Sequence, residues 1–167
     1  MAEREVLINK AKIEYEGLFS VQDLLDIFRE FMRDKQYIYT EKAQAEAVRK
    51  EGKFLKLDVA LTKKLTDYAQ CEIVVKTQLS EMKEKVVDVD GKKRKMFEGK
   101  VLIIFDGVLR TDYENRWETK PIYYFLRTVL ERYVYTPYIA GFREKVTEDT
   151  QYLMGNVKSY LNLQKFL

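Results

Sequence analysis

Histidine is absent from this 167-residue chain, and cysteine occurs once, at Cys71. The first absence removes the commonest general base, imidazole metal ligation and every Ser-His or Cys-His nucleophilic arrangement. The second excludes an internal disulfide and fits a reducing, cytoplasmic compartment. Proline appears twice and glycine seven times, none of them clustered, so no stretch reads as an interdomain linker. The longest uninterrupted apolar run, Val101 to Phe105, falls far short of the roughly 20 residues that a membrane-spanning helix requires. The opening MAEREVLINK lacks a hydrophobic stretch of signal-peptide length. Charge of one sign is scarce too: 30 basic and 27 acidic residues leave +3, a mixed surface rather than the positive field of a dedicated nucleic-acid binder.

What is present is apolar residues at 46%, with 12 Tyr and 9 Phe, enough for a sizeable core. The length predicts one α+β domain over 1–167, since domains run to about 100–200 residues. Its first part, 11–117, reads as strand, helix and meander, and its second, 120–165, as helices. AKIEYE, Ala11 to Glu16, alternates with the period of a strand. Ser20 then reads as an N-cap, with Asp23 in the first turn and Phe19 stapled onto Leu24. Val21, Leu24, Leu25, Phe28, Phe31 and Met32 recur at helical spacing, which predicts a helix over Val21 to Lys35.

From Gln36 the period is two. It sets Tyr37, Tyr39, Ala43, Ala45 and Ala47 on one face of a strand, with Gly52 marking a turn. Leu55, Leu57, Val59 and Leu61 line the next strand, and Ala69, Cys71, Ile73, Val75 and Leu79 the one after, which makes Cys71 a core residue. Asp90-Gly91 predicts a tight hairpin, because both central residues accept positive φ. A long strand follows, about Lys95 to Tyr113, with Gly107 read as a bulge or bend. The result is an antiparallel sheet of about five strands. After it, Ile122, Phe125, Leu126, Val129, Leu130 and Tyr133 form a helical stripe, Pro137 enforces a kink, and Phe142, Val146, Leu153, Val157, Tyr160 and Leu161 stripe a last helix in which Gly155 is a weak point.

This order of elements resembles the helix-grip arrangement of START-like domains, in which a curved sheet wraps a C-terminal helix. The resemblance implies a cavity between sheet and helix, lined here by Leu57, Ile73, Ile103 and Phe125. YEGLFSVQDLLDIFREF, TDYENRWE and YLNLQKFL look like small archaeal proteins of the same element order, to which no function attaches. VLIIFDGVLRTD resembles the opening motif of haloacid-dehalogenase-type phosphatases. There the first Asp is the nucleophile and the second the acid/base. Asp106 matches the second, and Ile104 stands in the nucleophile's place, so no phosphoaspartate forms.

Two charge motifs remain. Asp88 and Asp90 begin like a calcium loop, but bases occupy the following ligand positions, and no metal or cofactor is expected. Lys92, Lys93, Arg94 and Lys95 are the candidate phosphate contacts of a nucleic-acid reading, diluted by Glu81, Glu84, Asp88 and Glu98. In the C-terminal region the stripe accounts for one face while other rings surround it, more than one sheet covers. The leading expectation is a non-catalytic interaction or structural protein. It self-associates or binds a partner protein through Arg116, Trp117, Tyr124, Tyr135 and Tyr138, because Trp, Tyr and Arg dominate interface hot spots. The alternatives are the helix-grip-like module for an apolar small molecule and a nucleic-acid-associated protein using the basic hairpin. No membrane is expected as partner.

Overall fold

The computed structural model describes residues 3–111, 129 and 136–164. In chain order they form β1 (Glu3–Phe19), α1 (Val21–Lys35), β2 (Ile38–Arg49), β3 (Gly52–Lys64), β4 (Ala69–Val89), β5 (Lys92–Thr111) and α2 (Thr136–Gln164). The fold is α+β: one five-stranded antiparallel sheet in the order β1-β5-β4-β3-β2, one helix after the first strand and one at the C-terminal side. Hairpins join β2 to β5 in sequence. Because β1 pairs with the last strand, α1 must carry the chain from one edge of the sheet to the other.

α1 has the ends that its sequence predicts. Ser20 Oγ accepts from the Asp23 N–H at 3.2 Å, and Gln36 closes the helix in the left-handed region at φ 59°. Leu24, Phe28 and Phe31 bury its inner stripe. α2 lies over β1, β5 and β4, with α1 beside it. Val146, Leu153, Val157 and Leu161 of α2 meet Ile13, Ile73, Ile103 and Phe105 of the sheet in one core, to which Cys71 also belongs. Gly107 bends nothing in β5. The register shifts sit in β1 on either side of its partner Ile8, and a Cβ at Gly107 would stand 2.8 Å from Thr150 Oγ1, so the glycine lets α2 approach the sheet.

β4 is bulged between Ser80 and Lys83, with Glu81 at φ 55°. Glycines flank that bulge on both sides. A Cβ on Gly52 of β3 would lie 2.8 Å from the Glu81 carbonyl carbon, and one on Gly99 of β5 would lie 2.7 Å from Ser80 O. Beyond the bulge β4 and β5 outrun β3 and then β1, and Lys85–Val89 with Lys92–Met96 continue as a two-stranded ribbon. It closes at Asp90 (φ 52°) and Gly91 (φ 74°), the turn that this dipeptide predicts.

A second bulge corrects the expected face of β2. Tyr39 pairs with Leu61 and Glu41 with Val59, but Ala43 pairs with Asp58, so one extra residue separates them. Directly opposed residues share a face. Tyr39 therefore lies on the helix side of the sheet, and Ala43, Ala45 and Ala47 lie on the other, where the unbroken period had put them all together. Every residue of β2 is exposed. The predicted kink concerns residues 120–135, which, Val129 apart, lie outside the described residues; Pro137 is the second residue of α2.

Candidate functional site

α1 does not cover the whole helix side of the sheet. Its stripe turns Leu24, Phe28 and Phe31 into the core, and no described element covers the flank toward β2. There a cleft of about 520 Å³ runs between Leu25, Phe28 and Met32 of α1 and Leu55 and Leu57 of β3. Tyr39, Glu41, Gln44 and Glu46 of β2 form its far wall, and Arg29 stands at its rim, paired with Asp26 at 2.8 Å. A second hollow of about 430 Å³, between Val21, Val48, Phe54, Met82 and Phe97, shares Val21, Glu46 and Leu55 with the first, so the two make one groove along the β2–β3 hairpin. Volumes of this order suit a small organic ligand, for which pockets run to about 300–1,000 Å³.

The groove is apolar on its floor and acidic on its β2 wall. Glu46 Oε1 accepts from Gln44 Nε2 at 3.0 Å, and Glu41 Oε2 lies 3.5 Å from the Tyr39 hydroxyl. The bulge at Lys42 turns this wall inward, because without it Gln44 and Glu46 would share the face of Thr40 rather than that of Tyr39.

A second cluster lies at the other end of α1. Asp149, only 1% exposed, accepts the Tyr37 hydroxyl at 2.9 Å through Oδ2. Its Oδ1 stands 3.5 Å from Lys145 Nζ and 3.6 Å from Lys35 Nζ. Lys63 donates to the Lys35 carbonyl at 2.7 Å, capping the α1 terminus, and lies over the Tyr37 ring. Burial pushes the Cys71 thiol up to about 11; the adjoining Tyr37 hydroxyl opposes this and the Asp149 charge adds to it. Burial likewise pushes the Tyr37 phenol far up, helped by Cys71 and Asp149. Both groups hold their protons at neutral pH and neither reaches solvent. The cluster therefore ties α2 to the start of β2 rather than presenting an activated nucleophile.

The residues singled out from the sequence are not brought together. Leu57 lines the groove, whereas Ile73 and Ile103 are wholly buried in the core and border neither hollow. Lys92, Lys93, Arg94 and Lys95 stand at the ribbon end, where Lys93 opposes Asp88 and Arg94 reaches Asp23 at 3.6 Å. Tyr138 projects from α2, 64% exposed. Arg116, Trp117, Tyr124, Phe125 and Tyr135 lie outside the described residues. Sequence reasoning missed Asp149, although a signal was there: Asp149 and Thr150 occupy the stripe positions between Val146 and Leu153. It also missed the groove walls Arg29, Glu41 and Glu46, which carry no local signal. Among the described residues no three acidic or cysteine side chains gather to hold a metal, and no helix is long and apolar enough to cross a membrane. No family model matches the chain, and no curated protein matches it.

Proposed function

We propose that the protein is a binding module that takes an apolar small molecule in the groove between α1 and the β2–β3 hairpin. The observation that carries this reading is the apolar floor, where partly exposed Leu25, Met32 and Leu55 line the cleft over the core residues Phe28 and Leu57. The ligand sits beside α1, not under α2, because Ile73 and Ile103 are closed by packing there. A titration with an environment-sensitive fluorescent alkyl probe tests it. Saturable binding that Leu55→Arg and Met32→Arg abolish, with unchanged circular dichroism, supports the reading. Absence of saturable binding to the wild-type chain overturns it.

A second reading rests on the outward rings of α2, where Tyr138 is 64% exposed, Leu163 is 67% exposed and Tyr152 is half-exposed. In it the protein is non-catalytic and structural. It meets a partner protein or its own copy through Tyr138 together with Arg116, Trp117, Tyr124 and Tyr135, on a helical segment kinked at Pro137. Native mass spectrometry of Trp117→Ala and Tyr135→Ala variants decides this reading, since an assembly unaffected by both removes it. In either reading the protein works in the cytoplasm, of an archaeal cell on the resemblance above, a setting that suits a single buried thiol.

A further inference from the structure

We infer that β2 is a self-complementary dimer edge, along which two copies join their sheets into one of ten strands about a twofold axis at Gln44. The inference uses the outer edge of the strand whose residues wall the groove, and it does not depend on a ligand binding there.

The two edges of the sheet are unlike. β1 is blunted as protected edges are: its register shifts twice, Lys10 adopts φ 49° and its N–H is tied to Asp106 Oδ1 at 2.7 Å. β2 has no proline and three alanines, and all twelve of its residues are exposed. Among the described residues its outer hydrogen-bonding edge pairs with nothing and is open to a further strand. Ile38 and Val48, at 68% and 84% exposed, are among the most exposed large apolar side chains described; they stand at opposite ends of β2, with Tyr39 next to Ile38.

The sequence of β2 says what that strand is. Its two acids, Glu41 and Glu46, and its two bases, Lys42 and Arg49, cancel, so a second copy meets no net repulsion. In an antiparallel pairing about Gln44, Ala43 faces Ala45 of the second copy. The bulge then fixes the remainder. With Lys42 as the extra residue, Glu41 and Lys42 together oppose Glu46, twice by symmetry, and Lys42 supplies the counter-charge to the two acids. Beyond them Thr40 faces Ala47, Tyr39 faces Val48 and Ile38 faces Arg49. Each of these three pairs lies on one face of the sheet, as the pairing of β2 with β3 requires: Tyr39 and Val48 toward the helices, Thr40 and Ala47 away from them. The exposed ring of Tyr39 thus covers exposed Val48, and Ile38 lies along the aliphatic stem of Arg49. The pairing also completes the groove, since the second copy's β2 extends the wall of Tyr39, Gln44 and Glu46 where each copy alone ends in solvent.

Two measurements test this. Lys42→Glu gathers three acids at each of the two symmetric places and weakens dimerisation by about tenfold in sedimentation analysis. Glu46→Lys weakens it less, because Glu41 remains beside the new charge. An equimolar mixture of the two variants regains the wild-type affinity, because opposite charges then meet in both places. Separately, Gln44→Cys brings two thiols together on the axis, where directly opposed antiparallel Cα atoms lie about 4.5–5.5 Å apart, within disulfide reach. Mild oxidation gives a covalent dimer, and Cys71 does not compete because it is buried. A wild-type chain that stays monomeric at several hundred micromolar overturns the inference. So does a dimer that ignores Lys42→Glu and leaves the Gln44→Cys variant uncrosslinked.

Discussion

The Tyr37 hydroxyl and Asp149 Oδ2 meet at 2.9 Å across 112 residues of chain, joining the entry of β2 to the middle of α2. Both are buried, so each is the other's means of satisfying a polar group away from water. Tyr37→Phe leaves the carboxylate short of its best donor and costs about 1–3 kcal/mol in urea unfolding. A double-mutant cycle with Asp149→Asn gives a coupling of about 0.5–3 kcal/mol. Additive effects would show that the two Lys side chains alone hold the carboxylate.

Stability falls on the alkaline side. The Cys71 thiol is raised from 9.0 to about 11 and the Tyr160 phenol from 10.0 to about 12, both chiefly by burial, and Tyr37 is raised further. Above pH 9 the unfolded chain loses these protons while the folded chain keeps them. The unfolded state then binds fewer protons, and stability declines as pH rises. The melting temperature holds level up to about pH 8.5 and drops steadily between about pH 9 and 12. Cys71→Ala delays the onset. At neutral pH the native thiol resists a disulfide reagent and reacts only on unfolding.

Glycines at two positions respond in opposite directions to alanine. A Cβ at Gly155, inside α2, meets nothing within 4 Å, so Gly155→Ala stabilises by about 0.5–1 kcal/mol through helix propensity. A Cβ at Gly99 strikes Ser80 O at 2.7 Å, a backbone atom in a bulge that Gly52 hems in from the other side. Gly99→Ala destabilises by about 1–3 kcal/mol. Chemical denaturation of both variants measures the contrast.

The basic tip of the ribbon is thermodynamically idle. Lys92, Lys93 and Lys95 are exposed on β5, where among the described residues it pairs with β4 alone. Replacing all three by Gln leaves unfolding within about 0.5 kcal/mol of wild type. If the tip contacts phosphates, the same variant loses salt-dependent retention of RNA or DNA on a filter. Equal retention by the two chains removes the nucleic-acid alternative.

The elements that sequence reasoning places well are those whose reasons are local. Ser20, Asp23 and the stripe from Val21 to Met32 fix α1, and the alternation of Leu55 to Leu61 and of Cys71 to Leu79 picks out the core side of β3 and β4. Asp90-Gly91 sets its turn for the same reason. β2 defeats the same method, because a single bulge at Lys42 reverses the face of every residue after it. The groove is invisible in sequence, since Leu25 and Met32 belong to the same apolar stripe as buried Phe28 and only the position of α1 decides which of them the sheet covers.

By itself, then, the sequence determined that this is an α+β chain with a capped helix after its first strand, an antiparallel sheet and a striped C-terminal helix, because propensity, capping and periodicity act over a few residues. The tertiary structure decided the rest: which edge of the sheet stays open, where α1 leaves Leu25, Met32 and Leu55 partly exposed, and how Tyr37 and Asp149 meet. Those outcomes depend on bulge positions and on the path of one helix across a sheet, and such long-range geometry is set by the packing of the whole core.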